Sequence, residues 1–186
     1  MLHIDLKEDD ISELPVKISL YQALPKGDKL ELVIQKAVEL GVSEVIPVRT
    51  ARCVVKVEGV RADKKLERWK KLSMEAAKQS GRGMVPDVLP VMDFNEAIKR
   101  ARKSEYMVIP YELYEEGGLR SLKNKIAEGV ESISVFIGPE GGFERDEVKK
   151  AVSEGGNVIS LGRRILRTET AAIAVLAHIM MLIEEK

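Results

Sequence analysis

Tyr106-Met-Val-Ile109, Ile133-Ser-Val-Phe-Ile137 and Val158-Ile-Ser-Leu161 are short apolar runs bounded by Gly, Pro and charged residues. Runs of that length and β-branched content read as buried strands. Between them, Leu119 to Glu128 and Phe143 to Glu154 carry helical spacing, and Arg167 to Glu184 reads as a closing helix. Strands alternating with helices predict an α/β fold, a mainly parallel sheet with helices on both faces.

Working back toward the N-terminus, Lys17 to Ala23 reads as a strand ended by Pro25-Lys26-Gly27. Asp28 and Glu31 have the spacing of a capping box, Leu30, Val33, Ile34, Ala37 and Val38 follow the helical period, and Gly41 stands where a C-cap belongs. Val45 to Val48 and Cys53 to Val57 are strand candidates. Ala62 to Gln79 is a helix with Leu66, Trp69, Leu72 and Ala76 on its apolar stripe, and Trp69 reads as core. Phe94 to Lys103 is a third helix, with Asp93 as its cap. The last helix is apolar nearly all round, so it is expected to pack into the sheet or against a second subunit.

Composition narrows the class. Thirty basic and thirty acidic residues cancel, so net charge argues neither for nor against a polyanionic partner. The single Cys53 excludes an internal disulfide and a cysteine metal cluster, and a reducing cytoplasmic setting is the expectation. His3 and His178 are too few and too far apart to suggest a metal site, and His178 reads as a core or interface histidine. The most apolar stretch, Ala171 to Ile183, is short of a membrane span, and the N-terminus does not read as a signal peptide.

Ligands of open α/β sheets bind beyond the carboxyl ends of the strands. Three loops fall there: Pro110-Tyr111-Glu112, Gly138-Pro139-Glu140-Gly141-Gly142, and Gly162 to Thr170. The second lets a ligand approach the main chain, or is simply a tight strand-to-helix turn. It has neither the GxxxxGK[ST] nor the GxGxxG pattern, and suits a nucleoside better than a triphosphate. In the third, Arg163, Arg164 and Arg167 lie at a helix start, where cations oppose the helix dipole. That placement points to an anion or RNA contact, against a solvated basic turn. Thr168 and Glu169 supply polar groups for capping the helix or for binding a ligand; the first reading makes Thr168 the N-cap and Glu169 a stabilising first-turn carboxylate. The basic face of the helix, Arg61, Lys64, Lys65, Arg68, Lys70 and Lys71, is either solvated or an RNA contact.

Phe136-Ile-Gly-Pro-Glu-Gly-Gly-Phe143, then Leu161-Gly162 and Arg164-Ile-Leu-Arg-Thr-Glu-Thr-Ala171, resemble the knotted SPOUT methyltransferases. More narrowly the chain resembles the RsmE family, which methylates N3 of a uridine in 16S ribosomal RNA. Gln22-Ala-Leu-Pro-Lys-Gly27, Gln35-Lys36 with Glu39-Leu-Gly-Val42, Arg52-Cys-Val-Val55 and Glu75-Ala-Ala-Lys-Gln-Ser-Gly-Arg82 extend the resemblance from Ile18 to the C-terminus. It implies a C-terminal deep trefoil knot, a homodimer, S-adenosylmethionine (AdoMet) as cofactor and 16S rRNA of the small ribosomal subunit as partner. Residues 17–186 would be the SPOUT domain, and residues 1–16 a remnant of, or linker from, a PUA-like N-terminal domain. Ala51 departs from the family, which usually has an acidic residue there.

The implied cofactor residues are Pro110, Tyr111, Glu112, Gly138, Pro139, Glu140, Gly141, Gly142, Leu161, Gly162, Ile165, Leu166, Arg167, Thr168 and Ala171. Arg52, Arg82 and Arg164 are the implied RNA contacts. For chemistry, Arg167 is expected to stabilise the uracil anion, and Glu140 is the open candidate for a base. The rival reading is a non-catalytic RNA- or nucleotide-binding module that retains the fold.

Overall fold

In the computed structural model, which describes residues 12–55, 59–111 and 118–185, all strands run parallel. The order of elements is β1 (Lys17–Ala23), α1 (Lys29–Glu39), β2 (Glu44–Arg49), α2 (Val60–Gln79), β3 (Asp87–Val88), β4 (Met92–Asp93) and α3 (Phe94–Ala101). There follow β5 (Tyr106–Pro110), α4 (Gly118–Ala127), β6 (Ser132–Ile137), α5 (Arg145–Ser153), β7 (Gly156–Ile159) and α6 (Thr168–Glu184). The sheet order is β3-β2-β1-β6-β5-β7, with β4 also pairing β2. The α/β class expected from the three apolar runs is the one observed.

Alternation across β1 explains the layering. Ile18 and Leu20 face α1, α2, α4 and α6, where Ile34, Trp69, Leu122, Val175 and Ile179 join one core. Tyr21 faces α3 and α5, in a second core with Ile98, Phe136 and Phe143. Tyr21 and Phe136 are neighbours in register and their rings stack at 4.5 Å. Full burial of each such side chain contributes about 1.5–3 kcal/mol. Trp69 is core, as its stripe predicts.

Some local expectations give way to tertiary partners. Asp28 holds the N-cap position of α1 in a turn conformation without a side-chain cap. Glu31 does not close the capping box, because its carboxylate accepts a 2.7 Å bond from Arg68 of α2. Asp93 likewise precedes α3 without capping it, and pairs with Arg49 at 2.8 Å. Residues 53–55 form no strand, and the rest of that expected strand, Lys56 and Val57, lies outside the described residues. The two-residue strands β3 and β4 carry no readable period. Gly41 follows α1 with φ +85°, as a C-cap glycine should.

α6 buries one face, through Ala172, Val175, Leu176, Ile179 and Ile183. Its opposite face stays apolar and open: Met181 is exposed, and Met180, Leu182 and His178 are only half-buried. Residues 1–11 of the expected N-terminal segment lie outside the described residues.

Candidate functional site

The first and third loops meet because β5 and β7 are adjacent strands. Tyr111 donates its amide to the Ile159 carbonyl at 3.0 Å, which carries the pairing one residue past β5. A shallow open cleft results, walled by Pro110 and Tyr111 on one side. Ser160, Leu161, Gly162, Arg164, Ile165 and Leu166, with Ala171 from α6, form the rest. Gly162 takes φ +106°, a conformation that disfavours any side chain, and its amide is bonded by Ser160 Oγ at 3.3 Å. Ile165, one of the lining residues, is 86% exposed. Glu112, expected in the same loop, lies outside the described residues.

The glycine loop is held beside this cleft and contributes none of its lining residues. Gly138 O accepts the Thr168 hydroxyl at 2.7 Å, and Thr168 Oγ1 accepts from the fully buried Gln22 at 2.9 Å. Gly142 donates to Pro139 O at 2.9 Å, closing a tight turn with φ +66° at Gly142. A Cβ on Gly138 would stand 3.3 Å from the Gly142 backbone, so the loop folds back tightly on itself. Thr168 is therefore not the N-cap. Arg167 occupies that position, and Thr168, first in the helix, spends its hydroxyl on the glycine loop.

Glu140 is anchored too. It accepts from Lys29 Nζ at 2.9 Å and from the Lys26 amide at 3.0 Å. Partial burial pushes its pKa up, but the Lys29 hydrogen bond and the backbone donors outweigh that and hold the carboxyl below its ordinary value. Lys29 is correspondingly raised, first through the Glu140 hydrogen bond. A carboxylate so stabilised is a weaker proton acceptor at neutral pH, so these contacts favour a tether over the base expected of Glu140. Glu169 lies 3.7 Å from the same Lys29, in the first turn of α6. Lys26 and Lys29 were missed in the sequence as site residues; the turn before α1 offered no local signal. Gln22 had one: a polar amide inside an apolar strand must find a partner.

The arginines divide. Arg163, Arg164 and Arg167 are exposed and have no ion-pair partner among the described residues. Arg52 lies across the glycine loop, donating to Gly141 O at 2.8 Å. Arg82 is a correction: its side chain is only 3% exposed, paired with Glu13 and bonded to Val38 O and Val42 O at 3.0 and 2.7 Å. It staples the chain before β1 to the end of α1 and is closed to RNA. Ala51 uses its amide to bind Glu147 at 2.9 Å. Among the described residues no group of acidic, His or Cys side chains is placed to hold a metal, and no helix is long and apolar enough to cross a membrane.

Residues 12–180 match the RNA methyltransferase domain family. The chain is 42% identical to ribosomal RNA small subunit methyltransferase E of Bacillus subtilis, over 90% of this chain and 66% of the relative. With the same-named protein of Mesomycoplasma hyopneumoniae it shares 35% identity, over 86% of this chain and 67% of that one. The chain thus spans about two thirds of the length of these relatives. Among solved structures, a Legionella pneumophila methyltransferase in complex with AdoMet superposes with a TM-score of 0.83 at 33% identity, covering 91% of this chain and 67% of that one. Ribosomal RNA small subunit methyltransferase E of Neisseria gonorrhoeae, bound to AdoMet, gives 0.77 at 33% identity, covering 94% of this chain and 70% of that one. By this family match and these relatives, the chain belongs to the RNA methyltransferase domain family, in the group of ribosomal RNA small subunit methyltransferase E.

Proposed function

We propose that this chain is the catalytic domain of an AdoMet-dependent methyltransferase acting on N3 of a uridine in 16S rRNA of the small ribosomal subunit. The observation that carries the reading is the cleft between the first and third loops. Its walls combine backbone groups with Leu161, Ile165, Leu166 and Ala171, a surface suited to an adenosine, and relatives with this fold are crystallised with AdoMet. Pro110, Tyr111, Leu161, Gly162, Ile165, Leu166 and Ala171 would hold the cofactor. When bound, the cofactor supplies a methyl group already activated by its sulfonium.

The residues of this chain then have separate tasks. The Gln22–Thr168–Gly138 bonds and the Lys29–Glu140 pair fix the glycine loop against the start of α6. Gly138 to Gly142 thus support the cofactor loops rather than wall them. Arg167, exposed and unpaired among the described residues, stabilises the uracil anion left when N3 gives up its proton. Arg164, on the cleft wall, is the phosphate contact, whereas Arg52 already donates to Gly141 O and lies 3.9 Å from the Glu144 carboxylate, so it is the secondary one. Bulk solvent takes the proton.

The open apolar face of α6 and the exposed Ile165 support a homodimer. The same reading carries the trefoil threading of the C-terminal segments and a cytoplasmic location. It also assigns residues 17–186 to the SPOUT domain. Calorimetry with AdoMet, followed by methyl transfer to 30S subunits and mapping of the modified base, tests the assignment. AdoMet binding with modification at a uridine N3 is expected; no binding at millimolar cofactor would leave the non-catalytic module instead.

A further inference from the structure

A second cleft opens at the other end of the sheet, where parallel strands ordinarily bury apolar side chains on both faces. On the face beneath α3 the register places Glu44, Ser19 and Ser134 side by side across β2, β1 and β6. One row below, Lys17 stands beside Ser132. All three residues of the upper row are buried. Such a polar floor runs against the pattern of the rest of the sheet, and departures of that kind mark sites.

The floor is a built arrangement. Glu44 accepts the Ser19 hydroxyl at 2.7 Å and the Arg100 guanidinium at 2.7 Å, so its charge is already matched. Ser132 Oγ accepts the Glu105 amide at 3.1 Å, which leaves its hydroxyl proton to donate. Above this floor the cleft holds about 330 Å³, is open to solvent and is lined by Lys17, Arg100 and Lys103. Lys17 and Lys103 are exposed and have no ion-pair partner among the described residues. Once Glu44 and Arg100 cancel, Lys17 and Lys103 are the uncompensated charges among the residues lining the cleft, together with the Ser132 hydroxyl.

We infer that this cleft binds a phosphate group, with Lys17, Lys103 and Ser132 as its ligands and the Glu44–Arg100 pair as the rigid floor. It is separate from the cofactor cleft: the β1 strand alone puts about 20 Å between the two ends of the sheet. A backbone phosphate of RNA and the phosphate of a small molecule share the required chemistry; the RNA source rests on the function proposed above.

Lys17→Ala combined with Lys103→Ala in the full chain provides the test. Both residues lie outside the catalytic and cofactor machinery, so AdoMet affinity is expected to stay unchanged. Arg100 is left in place, since removing it would strand the buried Glu44 carboxylate. Inorganic pyrophosphate is titrated calorimetrically into both proteins, and a labelled single-stranded RNA is titrated across a salt series. Weakening of pyrophosphate binding by tenfold or more supports the site. A fall in the RNA salt slope by about 0.7 to 1 also supports it, and names RNA as the source. Loss of pyrophosphate binding with RNA binding unchanged points to a small-molecule phosphate. If neither ligand distinguishes the variant from the wild type, or the wild type binds neither, the inference is overturned. Absence of RNA binding alone would count against the rRNA reading and leave the pyrophosphate arm to decide the cleft.

Discussion

The Thr168 hydroxyl donates to the Gly138 carbonyl at 2.7 Å while accepting from Gln22 at 2.9 Å, and so joins β1, the glycine loop and the start of α6. Thr168 is buried, so each bond is made where water cannot replace it. Thr168→Val keeps the shape but leaves the Gly138 carbonyl and a Gln22 N–H without this partner. It is expected to cost about 1–3 kcal/mol in a denaturant titration and to weaken AdoMet binding. Thr168→Ser, which retains the hydroxyl, should recover most of both.

Glu140→Gln separates a tether from a base. As a tether, the neutral amide still accepts from the Lys26 amide and loses only the ionic part of the Lys29 contact. Stability should change by no more than about 1 kcal/mol, as for exposed ion pairs, and turnover by less than roughly tenfold. A general base would cost about 10²–10⁴ in rate. A loss in that range would return Glu140 to the chemistry.

The pH dependence of the tether has a definite sign. The folded-state pKa of Glu140 is below its ordinary 4.5, so the contribution is present above that value and is lost as pH falls through the depressed one. Lys29, raised above its ordinary 10.5, keeps its charge through neutral pH and gives up its contribution only as pH rises through the raised value. AdoMet affinity limited by this contact should therefore be flat around neutrality and weaken at both extremes. A step near neutral pH in an affinity titration would contradict that account.

Arg167→Ala should lower single-turnover methyl transfer by about 10²–10³, the usual effect of removing one donor to a developing anion. AdoMet affinity should move only a few-fold, because Arg167 does not line the cofactor cleft. Unchanged turnover together with unchanged affinity would remove it from the reaction.

Arg82→Met tests burial against RNA contact. Removing one partner of the enclosed Arg82–Glu13 pair leaves a carboxylate and two carbonyls short of a donor. About 3–5 kcal/mol of stability is at stake. Thermal unfolding should shift by about 2–4 °C for each kcal/mol lost in a chain of this size. At a temperature where the variant remains folded, its RNA affinity should equal that of the wild type.

The layering of this protein was written locally. Tyr106-Met-Val-Ile109 and Ile133 to Ile137 announce buried strands, and the stripe through Leu66, Trp69 and Leu72 announces a helix packed on them, because hydrophobic period is a property of adjacent residues. The candidate cofactor loops could be singled out for a related reason: ligands gather at strand ends, and the composition of those loops resembles one family. Partner choice was not legible. Arg52, Arg82 and Arg167 are equivalent on paper, yet one bridges the glycine loop, one is sealed beside Glu13 and one is exposed. Asp28 and Glu31 spell a capping box that Arg68, on another helix, dissolves. Gln22 and Thr168 meet only because the sheet sets β1 beside β6 and returns α6 over both. Charge and hydrogen-bond partners are assigned by burial and by proximity across the folded chain, and those exist only once the strands have found their order.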